Sequence, residues 1–71
     1  MSETLNAGRM ASKLRELRGN RTQEDIAQAV GISRSAYMMY ENGERIPRDY
    51  IKKKLADFYN VSVGSLFFDE K

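Results

Sequence analysis

The chain contains no cysteine and no histidine. Without thiols, neither a disulfide nor a thiolate zinc site can brace the fold. Without imidazole, Ser-His and Cys-His nucleophile pairs, the usual neutral-pH proton shuttle and most transition-metal sites disappear as well. An enzyme is therefore not expected, nor is a cofactor or a bound metal. No apolar run approaches the roughly 18 residues of a membrane span. Met1 to Gly8 lacks the basic and apolar blocks of a secretory leader, so a reducing cytoplasm is the expected compartment and a membrane is not an expected partner.

What remains is 71 residues, enough for one domain. A chain of this size buries only about 60% of the surface that its unfolded form exposes, so the core is thin. Net charge is +2, but its distribution is uneven. Between Arg9 and Lys54 lie eleven basic and six acidic side chains, a surplus of five. A basic middle points toward a polyanion.

The hydrophobic pattern predicts an all-α domain of five helices. Residues 1–8 show no periodicity and read as a lead-in, residues 9–68 as the domain, and residues 69–71 as a tail. Met10, Leu14 and Leu17 fall on one face of a first helix that ends near Gly19-Asn20. Thr22 with Asp25 resembles a capping box, so a second helix starts there, buries Ile26, Ala27 and Val30, and stops at Gly31. Ser33 is a good N-cap for a third helix, which runs to Asn42-Gly43. After a loop that holds the only proline, Pro47, Asp49 is expected to cap a fourth helix with an apolar stripe of Ile51, Leu55, Phe58 and Tyr59. Ser62 caps a short fifth helix through Leu66 and Phe67.

The segment from Gln23 to Tyr40 has helix-turn-helix spacing. Two helices packed closely need a small residue where they touch, supplied by Ala27. They need a turn residue tolerant of positive φ, supplied four residues later by Gly31. Apolar positions then recur at Ile32, Tyr37 and Tyr40. Each feature alone is weak, whereas all of them within five helices make a strong signal.

On these residues the chain resembles the Cro/CI-type regulators, the XRE family, from about Met10 to Phe67. The matching pieces are Leu17-Arg18, Thr22 to Ala27, Val30 to Ser35, Tyr40 to Gly43, Arg45 to Pro47, Leu55 to Phe58 and Val61 to Val63. The resemblance implies a lambda-repressor-like five-helix fold and a small transcriptional regulator, expected to be a repressor. It also implies a recognition helix over 33–42 in the major groove of double-stranded DNA, and a homodimer on an inverted-repeat operator. The chain departs from the family in a shorter first loop, Gly19-Asn20-Arg21, and in Tyr37, which stands where a branched aliphatic side chain is more usual. The Tyr37 hydroxyl must then reach water or a partner.

At about 100° per residue, Ala36, Tyr37, Tyr40 and Glu41 share one side of the third helix, and Arg34, Ser35, Met38, Met39 and Asn42 the other. If that second side lies in the groove, Arg34 can bond guanine, Ser35 a base edge, and Met38 and Met39 can meet thymine methyls. The bland reading leaves Arg34 on phosphate and folds a methionine back onto the core. By resemblance, Gln23, Ser33, Asn42, Arg45 and Arg48 are expected at phosphates, and Arg18 with Glu41 forms an internal salt bridge. The acids Glu24 and Asp25 sit in a first turn, where they favour the helix dipole and are not a catalytic pair. Leu66, Phe67 and Phe68 are candidates for a dimer contact, or alternatively for closing the thin core. Other readings on the same fold are a protein-interaction module and an antitoxin-type protein that also binds a partner.

Overall fold

The computed structural model describes residues 7–68, and they form five α-helices: α1 (Ala7–Arg18), α2 (Gln23–Val30), α3 (Arg34–Glu41), α4 (Asp49–Tyr59) and α5 (Val63–Phe67). Helix α1 takes in Ala7 and Gly8, so it starts within the segment read as a lead-in. It buries Met10, Ala11 and Leu14. Its last carbonyls are met by Arg21, whose Nη2 donates to the Leu17 carbonyl at 2.8 Å and Nε to that of Arg18 at 3.2 Å. Those carbonyls have no partner within the helix, so Arg21 stops the end from fraying.

Three helices begin on a side-chain cap. The hydroxyl oxygens of Thr22, Ser33 and Ser62 each accept the backbone N–H three residues on, at 3.0 Å in all three cases. Helix α2 ends on Gly31, which adopts a left-handed φ of 87° and donates its N–H to the Ala27 carbonyl. Helix α4 departs from expectation. Its cap is Arg48, in extended backbone and without a side-chain cap bond, so Asp49 is the first helical residue. Its carboxylate still favours the positive end of the helix and lies 3.4 Å from Lys52.

The core gathers Met10, Leu14, Ile26, Leu55, Leu66 and Phe67, all fully buried, around Ala27, Val30, Tyr37, Tyr40 and Tyr59. Burial contributes about 1.5–3 kcal/mol for each large apolar side chain. Phe58 does not join this core; it is 37% exposed. The buried arc of α4 runs from Ile51 through Leu55 and Tyr59 to Ala56, which leaves Phe58 at its edge. There the ring meets Tyr59 edge-on, with centroids 5.1 Å apart, under the Arg21 guanidinium. Helix α3 packs on α1 and α2, α5 on α1 and α4, and α2 on α4. Among the described residues, no helix is long and apolar enough to cross a membrane.

Candidate nucleic-acid interface

Helix α3 is eight residues long, too short to hold its own orientation, so its neighbours must fix it. Its inward side carries Tyr37, Tyr40 and Glu41, all buried. Glu41 is 1% exposed and is the only buried charged residue among those described. Its carboxylate accepts two bonds from Arg18, Nε to Oε2 at 2.6 Å and Nη2 to Oε1 at 3.1 Å. This two-pronged geometry suits a guanidinium and a carboxylate better than any other pair of side chains. Gln23 Nε2 adds a third bond to Oε1 at 3.0 Å. Arg15 completes the clamp by donating to the Glu41 backbone carbonyl, at the end of α3 where carbonyls lack helical partners.

Tyr37 continues the network across the core. Its hydroxyl lies 2.6 Å from that of Tyr59, so the polar group that this position introduces is satisfied by α4. The same hydroxyl acts on the Glu41 carboxylate and helps to lower its pKa. Burial raises the pKa of both phenols. Burial likewise pushes the Glu41 carboxyl up, but hydrogen bonds from Arg18 and Gln23, the Tyr37 hydroxyl and the Arg18 charge outweigh it. The group therefore sits below its ordinary value. Helix α3 is thus tied to α1 and α2 through Glu41 and to α4 through the Tyr37–Tyr59 bond. The rotation of α3 about its axis is fixed from three sides.

The outward side of α3 is what that clamp presents. Arg34, Ser35 and Asn42 are exposed, Met38 is 38% exposed, and Met39 is half-buried. The angular reading therefore separates the two faces, with Met39 at the boundary. Ser33 is exposed at the start of the helix, its oxygen occupied by the cap bond and its O–H left to donate. Gln23, expected at a phosphate, is half-buried and spends one amide hydrogen on Glu41.

Arg45 and Arg48 are exposed on the loop that follows. Together with Tyr40, Ile46, Tyr50 and Ile51 they line an open groove of about 550 Å³ between the end of α3 and the start of α4. Tyr40 and Tyr50 in this groove, and Arg15 in the clamp, are not among the sequence-derived candidates. Tyr40 reads as a core residue from its place on the apolar face, and nothing local marks its hydroxyl. The C-terminal candidates need correction: Leu66 and Phe67 are fully buried core residues and offer no surface for a partner. They close the thin core, and Val63, the third apolar side chain of this five-residue helix, packs against it only partly buried. Phe68 is half-buried and lies beneath Lys52, 5.1 Å from the ring centroid. Among the described residues, no group of three His, Cys, Asp or Glu side chains is placed to hold a metal ion.

Comparison with known proteins agrees with this geometry. The helix-turn-helix family matches residues 12–66. The cryptic phage CTXphi transcriptional repressor RstR of Vibrio cholerae is 36% identical over 63 residues, covering 86% of this chain and 57% of that protein. The chain thus spans little more than half the length of that relative. YazB of Bacillus subtilis, an uncharacterized HTH-type transcriptional regulator, is 41% identical over 64 residues, covering 90% of this chain and 91% of its own. The solution structure of the SOS-response transcriptional repressor LexA from Eubacterium rectale superposes with a TM-score of 0.83. It shares 26% identity and covers 100% of this chain and 78% of that one. A five-helix domain with α2 and α3 in helix-turn-helix order, matched over most of its length by such regulators, belongs to the XRE-type helix-turn-helix family of DNA-binding transcriptional regulators.

Proposed function

We propose that the chain is a sequence-specific repressor that binds double-stranded DNA as a homodimer on an inverted repeat, and that it has no catalytic activity. The observation that carries this reading is the sorting of charge on the surface. Lys13, Lys52 and Lys53 each pair with an acid one turn away on α1 or α4. Arg34, Arg45 and Arg48, on and just after α3, pair with no acid among the described residues. Helix α3 enters the major groove. Arg34 and Ser35 address base edges and Met38 meets thymine methyls, while Met39 lies at the margin of that contact. Asn42, Arg45 and Arg48 follow the backbone on one side, and Gln23 and Ser33 on the other, where the first turns of α2 and α3 offer free N–H groups. Phe68 is the aromatic of the C-terminal segment that a second copy can reach.

Repeated selection from a random-sequence duplex library at about 150 mM salt tests this, because nonspecific phosphate contacts weaken there. An enriched inverted repeat with half-sites about one turn apart is the expected result. Weak, salt-sensitive binding without enrichment would overturn it in favour of a protein-interaction module.

A further inference from the structure

The groove between α3 and α4 has a feature that core packing does not account for. Tyr40 is 4% exposed, yet its hydroxyl makes no hydrogen bond with any described residue. Among the described residues, no fully buried side-chain oxygen or nitrogen lacks a partner. The Tyr40 oxygen is therefore the small part of that residue which reaches solvent, and it does so in the groove it lines. Arg45 and Arg48 are close enough to act on it electrostatically. Among the described residues, no carboxylate lines the groove. Beside it, α4 starts on Arg48 with no side-chain cap, so the first amides of that helix are unclaimed by any side chain.

We propose that this groove seats one phosphate of the DNA backbone and that the Tyr40 hydroxyl donates a hydrogen bond to it between Arg45 and Arg48. The inference rests on the DNA-binding reading and adds a direct contact from a residue that is otherwise core. Every polar side chain among the described lining residues can donate, and a phosphodiester offers two charged oxygens to share among them. Burial raises the Tyr40 pKa more than Arg45 and Arg48 lower it, so the phenol keeps its proton at neutral pH and remains a donor. Ile46 and Ile51 make the walls apolar, which strengthens a charge-assisted bond by thinning the water around it. Tyr50, 62% exposed at the mouth, lies where the flanking sugar passes.

The test is Tyr40→Phe, which removes the oxygen and keeps the ring. Because that oxygen bonds no described residue, thermal stability should be unchanged. Affinity should fall about tenfold on the selected operator and on random duplex alike, with base preference retained. The salt slope should also be retained, since a neutral group is lost; Arg45→Ala should instead lower it by about 1 per subunit. A scan of single methylphosphonate linkages gives a readout independent of stability. One position in each half-site should weaken the native protein but not Tyr40→Phe. If Tyr40→Phe binds with full affinity and no such position exists, while Arg34→Ala and Arg45→Ala lose affinity, the phosphate seat is overturned and the DNA-binding reading stands. A native protein that binds no duplex at all overturns both.

Discussion

The two members of the Arg18–Glu41 pair are not equally dispensable, because their side chains are 23% and 1% exposed. Removing Arg18 leaves a carboxylate that cannot rehydrate in place. Losing one partner of a buried pair typically costs about 3–5 kcal/mol. Removing the charge at Glu41 leaves a guanidinium that already reaches water, and Glu41→Gln retains an acceptor of the same shape, so about 1–2 kcal/mol is expected. Urea unfolding of Arg18→Ala and Glu41→Gln measures both, and equal losses would contradict the asymmetry. Acid unfolding supplies a second check. Because Glu41 is held below its ordinary value, its ionised form stabilises the fold above the unfolded carboxylate value of about 4.3. That contribution fades as pH falls from about 5 through the depressed folded value. Glu41→Gln should therefore flatten this acid limb and leave stability above pH 6 parallel to that of the native chain.

At the level of elements, Gly31 joins α2 to the turn before α3 with φ at 87°. A Cβ there would have room, its nearest neighbour being the Lys54 ammonium at 3.8 Å, so the cost of Gly31→Ala is backbone strain of about 1–2 kcal/mol without a clash. Gly31→Asn should recover part of that loss, because asparagine tolerates the left-handed region, and thermal melts of the two variants compare them directly. Gly31 and the caps Thr22, Ser33 and Ser62 were legible in the sequence because their chemistry is local, spanning three or four residues. The faces of α3 were legible for the same reason, since periodicity alone separates Tyr37 and Tyr40 from Arg34 and Met38. Pairings across the fold were not, apart from Arg18–Glu41, which the family resemblance implies and the structure contains. The Tyr37–Tyr59 bond joins residues 22 apart, and the Arg15 bond to the Glu41 carbonyl joins residues 26 apart. Phe58 and Phe67 look alike as aromatic positions on helices, and only the direction in which α4 and α5 meet the core exposes one and buries the other.

For the whole molecule, a net charge of +2 is too small to bind DNA by bulk attraction, so what counts is how charge is arranged. Glu16, Asp49 and Asp57 are drawn into pairs on α1 and α4 and Glu41 into the clamp, whereas Glu24, Asp25 and Glu44 form no ion pair among the described residues. The arginines around α3 are left to displace counterions from a phosphate backbone. A two-fold dimer would set two such surfaces about 34 Å apart, one DNA turn, and would neutralise about 6–10 phosphates. Its operator affinity should then fall about 10³–10⁵-fold between 50 and 200 mM salt. Fluorescence anisotropy across that range measures the slope, and Arg45→Ala, Arg48→Ala and Lys53→Ala divide it. The two arginine variants should each lower it by about 1 per subunit, whereas Lys53, already paired with Asp57 at 3.6 Å on an exposed face of α4, should leave it unchanged. A Lys53→Ala slope that dropped as far as the arginine variants would mean that the backbone tracks along α4, and the placement of α3 in the groove would have to be abandoned.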